Sequence, residues 1–339
     1  MNENNHKILN VGLIGCGLIG QKRAKALSTC EIGKLIACAD INSKQAKILS
    51  NNTGAKIFEN WSEIVSSKEI DVVIVATTHD SLAEITKSAV KQGKHVLVEK
   101  PAARNASELS SVISIAKENS TKVHVGFNHR YHRSLIKARE IVDSGELGEI
   151  MFVRARYGHG GRVGYEKEWR ANPKLSGGGE LIDQGIHLID LSRWFLGDLQ
   201  NIEGFATNYF WDMPVDDNAY MLLKSKKNKV AFLHASCTEW KNLFSFEIYG
   251  KWGKLDLSGL GGSYGLERIT YYKMLPEMGP PETTSWEYPG NDNSWELEIN
   301  DFFKNINLNL KPNSNLEDAY ASLSIVENIY KISGYDHNS

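Results

Sequence analysis

Cysteine is scarce in this 339-residue chain: Cys16, Cys30, Cys38 and Cys237 are its only four, and they show no paired spacing. Three of them sit in apolar or helical contexts. Reduced, mostly buried thiols are therefore expected, rather than a disulfide framework or a zinc site. Long hydrophobic runs are lacking too. Stretches such as 72–76 fall far short of the ~20 residues that cross a bilayer, and no membrane partner is expected. The polar start (residues 1–7) has no apolar segment of a secretory signal, so the cytoplasm is the expected location. Nor is there an excess of charge of one sign. Lys and Arg number 39 against 41 Asp and Glu, a formal net charge of −2, which argues against a dedicated nucleic-acid partner. No internal repeat and no low-complexity linker interrupts the chain. What is present is length enough for two domains and a core that needs no staples.

Two halves differ in rhythm. Through residue 127, short apolar runs (8–14, 34–40, 71–76, 95–98 and 122–127) alternate with helical patterns (21–29, 43–52, 81–92 and 106–119). Such alternation, with nearly continuous apolar strands, predicts an α/β domain: a doubly wound parallel sheet covered on both faces. From 128 to 339 the pattern changes to α+β. A helix (134–143), a strand (149–157), a long polar loop and a helix (179–195) precede strand-like segments at 202–208, 218–224, 229–237, 244–249 and 254–257. That predicts a large, mostly antiparallel open sheet with two or three helices on one face. Helices at 295–308 and 316–333 close the chain, and a C-terminal helix can pack back onto the first domain.

The first strand runs into Gly15-Cys16-Gly17-Leu18-Ile19-Gly20. Gly15 permits the tight turn, Gly17 lets a pyrophosphate approach the backbone, and Gly20 lets the helix pack against the strand. The helix start, with Leu18 and Ile19, offers free N–H groups and a positive dipole end to phosphates. Asp40 closes the second strand, twenty positions after Gly20. A carboxylate there accepts hydrogen bonds from ribose hydroxyls and repels a 2′-phosphate, which favours NAD over NADP.

Further on, Glu99-Lys100-Pro101 ends the strand at 95–98. Strand ends face the ligand crevice in a doubly wound sheet, and Pro101 stiffens the turn. A cationic nicotinamide disfavours a nearby ammonium, which suits Lys100 to exchange a proton with a substrate hydroxyl. Taken alone, it reads far better as a surface lysine. In the second half Gly177-Gly178-Gly179-Glu180 leads into a helix with Asp183 and His187 four apart, hence on one face. A carboxylate there orients an imidazole and tunes it near neutral pH; the plain alternative is a satisfied buried histidine on an apolar helix. No third ligand stands at a recognisable interval, so no metal is expected.

The ordered set of the glycine turn, Glu99-Lys100-Pro101, and Gly178-Gly179 followed by Asp183 and His187 resembles the Gfo/Idh/MocA family. That family includes glucose–fructose oxidoreductase, inositol dehydrogenase and the rhizopine-catabolism oxidoreductases. The resemblance extends over nearly the whole chain, including Val125-Gly126-Phe127-Asn128-His129-Arg130 at the domain junction. It implies an NAD-dependent oxidoreductase acting on a hydroxyl or keto carbon of a sugar or sugar derivative. Lys100 and His187 would then serve in proton transfer with Asp183 near the substrate, and Thr77, Glu99 and Asn128 would join the cofactor-binding set. Association into dimers or tetramers through the exposed sheet face is also implied. Thr77-Thr78-His79 departs from the Thr-Pro common in relatives, and Leu82 stands where they often have histidine.

The loop from Arg154 to Arg170 is the least generic stretch. Arg154, Arg162, Trp169 and Arg170 are expected to bind substrate. Arginine forks suit carboxylate or phosphate and aromatic rings suit sugar faces, which points to an anionic or nucleotide-linked sugar. A solvated loop whose cations pair with Glu166 and Glu168 is the equal alternative. Two other functions fit the same residues: oxidation coupled to elimination with retained NAD, or a catalytically silent nucleotide-binding regulator.

Overall fold

A computed structural model describes residues 7–335. The chain divides into two compact units. One comprises the chain through Phe127 together with Trp295–Ala321; the other comprises Asn128–Ser294 and the chain from Ser322.

The first unit alternates strands and helices: β1 (Leu9–Ile14), α1 (Leu18–Leu27), β2 (Gly33–Ala39), α2 (Ser43–Thr53), β3 (Lys56–Ile57), α3 (Trp61–Ser66), β4 (Val72–Val75), α4 (His79–Lys91), β5 (His95–Glu99), α5 (Ala106–Glu118) and β6 (Val123–Gly126). The strands pair in parallel in the order β3-β2-β1-β4-β5-β6. This is the doubly wound arrangement, with its switch point between β1 and β4. Val11, Leu13, Val72 and Ile74 are fully buried, as expected of strands covered on both faces.

The second unit contains α6 (Arg133–Asp143), β7 (Ile150–Gly158), the short α7 (Pro173–Ser176), a π-helical segment (Leu181–Gly185) running into α8 (Ile186–Leu196), β8 (Leu199–Thr207), β9 (Asn218–Ser225), β10 (Val230–Ser236), β11 (Leu243–Gly250), β12 (Gly253–Ser258), β13 (Glu267–Lys273) and β14 (Glu282–Tyr288). Its eight strands run β14-β13-β12-β11-β7-β10-β9-β8; only β7 and β10 pair in parallel. Along β7, Val153, Ala155 and Tyr157 are buried while Phe152, Arg154 and Arg156 are exposed. α8 packs on β7 and β10, and α6 on β12–β14. On the other face of the sheet Phe205, Leu222 and Phe232 are exposed among the described residues.

α9 (Ser294–Asn307) follows, then α10 (Leu316–Ser333). Ile299, Phe302 and Phe303 of α9 join the core of the first unit, beside Leu9, Val11 and Leu13. All four cysteines are buried and free. Among the described residues no helix is long and apolar enough to cross a membrane, and no group of three His, Cys, Asp or Glu could hold a metal ion.

Candidate active site

The expected site residues divide between the two units. In the first, the carboxyl ends of β1, β2, β4 and β5 carry the glycine turn, Asp40, Thr77 and Lys100 to one edge of the sheet. Each glycine meets a different constraint. Gly15 has φ +92°, and a Cβ on it would stand 2.4 Å from the Ala76 carbonyl oxygen, so β1 and β4 close together there. A Cβ on Gly20 would stand 1.9 Å from the Gly15 oxygen, because α1 presses on the turn. A Cβ on Gly17 would meet nothing within 4 Å. Gly17 therefore leaves open space beside it, directly at the N-terminus of α1, with Leu18 and Ile19 opening the helix. That is the cradle a pyrophosphate needs.

Asp40 braces this turn: its Oδ2 accepts from the Cys16 N–H at 2.6 Å and its Oδ1 from the Asn42 N–H at 2.7 Å. Each carboxylate oxygen has a second lone-pair site, so ribose recognition remains open to it. Thr77 accepts from Ser81 Oγ at 2.9 Å at the start of α4. Glu99 is turned inward, its carboxylate taken by the buried Arg23 of α1 at 2.6 Å. Arg23 also binds Glu298 of α9, which meets His124 of β6 at 3.2 Å. Burial raises the proton affinity of Glu99 against the pull of Arg23. Burial acts the same way on Glu298, but there Arg23 and His124 outweigh it and keep the group below the usual carboxylate range. Sequence reasoning passed over Arg23, although it lies three residues beyond Gly20 on the helix that the turn opens.

In the second unit the structure brings Arg170, Trp169 and Asp183 together. Arg170 Nε donates to Asp183 Oδ2 at 2.9 Å, and its guanidinium lies 4.5 Å from the Trp169 ring. The Asp183 charge raises the already high proton affinity of Arg170. His187, buried, stacks on His129 with ring centroids 3.9 Å apart and 17° between planes. His129 was part of the quoted junction motif but was not singled out as a site residue. Tyr157 stands edge-on to both histidines. Burial, with Tyr264 beside it, holds the Tyr157 hydroxyl protonated well above its ordinary value, and burial pushes Tyr264 up to about 12. His159 lies 3.7 Å from buried Glu180. Burial lowers its proton affinity; Asp183 opposes this, while Arg170 and Arg162 add to it. Asp183 stands in a π-turn rather than in the α-helix that the four-residue spacing suggests, a device common at functional sites.

Two expected substrate residues stand elsewhere. Arg162 is exposed and pairs with Glu168 at 2.7 Å, the plainer of the two readings for this loop. Arg154 projects from the sheet face opposite α8, where it binds Glu247 at 2.5 Å and Tyr249 Oη at 3.1 Å. There it lines a groove of about 480 Å³ with Arg156, Phe232 and His234. Asn128 opens the second unit and donates to Ser294 Oγ at 2.9 Å.

Residues 9–127 match the family model described as an oxidoreductase family with an NAD-binding Rossmann fold, and residues 135–256 match the Gfo/Idh/MocA C-terminal domain. The chain belongs to the Gfo/Idh/MocA oxidoreductase family. It is 34% identical over 189 residues to glucose-6-phosphate 3-dehydrogenase of Bacillus subtilis, covering 55% of this chain and 53% of that one. Levoglucosan dehydrogenase of Pseudarthrobacter phenanthrenivorans is 25% identical over 288 residues, 73% of each chain. Inositol 2-dehydrogenase of Salmonella typhimurium is 27% identical over 194 residues, 56% of this chain and 55% of its own. The matched stretch thus spans about half the length of two of these relatives. Among solved structures, levoglucosan dehydrogenase in complex with NADH and levoglucosan superposes with a TM-score of 0.85 at 23% identity, covering 96% of this chain and 98% of that one. Aldose-aldose oxidoreductase from Caulobacter crescentus gives 0.84 at 22%, covering 97% and 98%. The fold is common to all of them.

Proposed function

We propose that this Gfo/Idh/MocA oxidoreductase is an NAD-dependent dehydrogenase for a secondary hydroxyl of an uncharged sugar or cyclitol. The space left at Gly17 supports nucleotide binding. Bound NAD would supply the hydride acceptor at such a carbon. Gly15, Gly17 and the N–H groups of Leu18 and Ile19 would hold the pyrophosphate, and Asp40 the ribose. Lys100 takes the hydroxyl proton, and His187 shares in that proton's transfer. Asp183, held by Arg170, accepts a hydrogen bond from a neighbouring hydroxyl and so orients the ring.

The pairing of Arg170 with Asp183 carries the choice of substrate. An arginine free to read a phosphate or carboxylate was the motive for expecting an anionic sugar. Yet Arg154, Arg162 and Arg170 each hold a carboxylate already, and Glu180 and Asp183 are both buried nearby on the same segment. Carboxylates repel an anion and suit the hydroxyl donors of a polyol. Relatives bear the names of both kinds of enzyme, so the test is a panel. With purified protein and NAD, myo-inositol, D-glucose or levoglucosan is expected to produce NADH faster than glucose 6-phosphate does. A preference for the phosphate ester would reverse the assignment. No hydride transfer to or from any sugar would instead favour the silent regulator.

We also infer association of copies through the face of the second sheet opposite α8. Exposed Phe205, Leu222 and Phe232 on neighbouring strands support it. A monomeric mass in light scattering would set it aside.

A further inference from the structure

The segment bearing Asp183 and His187 begins without a cap of its own. A helix start leaves its first N–H groups without partners in the helix, and a Ser, Thr, Asp or Asn side chain just before it normally supplies one. Here glycines occupy positions 177–179, and Glu180 makes no capping bond. Asp216, on the connection leading into β9, takes the three donors instead. Its Oδ1 accepts from the Gly179 N–H at 2.9 Å, its own carbonyl oxygen from the Glu180 N–H at 3.0 Å, and its Oδ2 from the Leu181 N–H at 2.7 Å. Tyr330 of α10 donates its hydroxyl to the same Oδ1 at 2.7 Å, and its oxygen lies 3.1 Å from the Gly179 nitrogen.

The glycines make this possible. A Cβ on Gly178 (φ +153°) would stand 2.2 Å from the Tyr330 hydroxyl oxygen, and one on Gly179 would stand 2.0 Å from the Asp216 carbonyl oxygen. Asp216 and Tyr330 are both buried. Gly178 and Gly179 are therefore the close-approach half of a two-part joint, and Asp216 with Tyr330 is the other half.

We propose that Asp216 and Tyr330 are positioning residues for the dehydrogenase reaction: together they cap, from outside the helix, the turn that sets Asp183 against Arg170. This rests on the reading of Asp183 and His187 as site residues. The Asp183 N–H bonds the Gly179 carbonyl at 3.1 Å, so the turn whose N–H groups Asp216 gathers is the turn that carries Asp183. Its π geometry is rare and occurs mostly as a single turn joined to an α-helix, and here its opening N–H groups are held from outside the helix. An acceptor carboxylate at a helix start also meets the positive end of the helix dipole. Freed of the cap, the turn can shift Asp183 by a fraction of its 2.9 Å contact with Arg170, and displacements of about 1 Å cost on the order of 10²-fold in rate.

The test reads amide hydrogen exchange over residues 177–187 together with steady-state kinetics in the full chain. The kinetics use NAD and whichever of myo-inositol, D-glucose or levoglucosan the wild type oxidises fastest. Tyr330→Phe and Asp216→Asn are compared with Tyr271→Phe, which deletes another buried tyrosine hydroxyl bond in the same unit, to the Glu146 carbonyl at 3.0 Å. In the first two variants, exchange at Gly179 and Leu181 is expected to quicken about tenfold or more. Their kcat should fall about tenfold or more while KM stays within about threefold. Tyr271→Phe should change neither. Unchanged exchange in both variants overturns the cap. Quickened exchange with unchanged kcat overturns the positioning role. A wild type that oxidises none of the three sugars overturns the proposed function instead, and the exchange result still decides whether the cap exists.

Discussion

A methyl group added at Gly17 would meet open space, whereas one at Gly20 would stand 1.9 Å from the Gly15 carbonyl oxygen. The two substitutions should therefore fail in opposite ways. Gly17→Ala is expected to keep thermal stability within about 1 kcal/mol of wild type while weakening NAD binding at least about tenfold, or ~1.4 kcal/mol. Gly20→Ala should cost about 2–3 kcal/mol of stability, since backbone must move to admit the Cβ. Calorimetric titration with NAD beside thermal unfolding separates them; equal NAD affinity in Gly17→Ala would remove the phosphate cradle. The same scale explains where Arg154 lies. The alternation Val153-Arg154-Ala155-Arg156-Tyr157 puts the arginines on the face opposite the apolar residues, so strand parity already excluded them from the face that α8 covers.

Among the elements, α1, β5, β6 and α9 converge on one buried cation. Arg23 sits between Glu99 and Glu298, with the Trp295 ring 4.4 Å away. Removing one partner of a buried ion pair leaves uncompensated charge and costs about 3–5 kcal/mol; Arg23→Met leaves two carboxylates so. Urea unfolding should show a loss of that order, partly recovered when Glu99→Gln and Glu298→Gln are added. A loss below about 1 kcal/mol would mean that the cluster braces nothing. These elements differ in how far the sequence discloses them. β1, β2, β4, β5 and β6 were legible because each is mostly apolar, and most boundaries shifted by only one to three residues. β3 is two exposed residues, and β14 is almost wholly exposed at the sheet edge, so neither carries the apolar alternation that marks a strand. The π-turn escaped because four-residue spacing is the same on paper for an α-helix.

For the whole molecule, the order of motifs along the chain identified the family, while the partners of the charged side chains did not show in the sequence. Glu99 with Arg23 spans 76 positions, and Arg154 with Glu247 spans 93; no local pattern encodes pairs so distant. The pairing of Arg154, Arg162 and Arg170 with carboxylates is what favours an uncharged sugar over an anionic one in the proposed function. The proposed proton chemistry turns on Lys100, and one comparison tests it most directly: the rate of polyol-dependent NADH formation in wild type and in Lys100→Met, with NAD affinity measured for both. Loss of a general base is expected to lower kcat by about 10²–10⁴-fold with NAD affinity retained. Unchanged turnover in Lys100→Met would contradict the account.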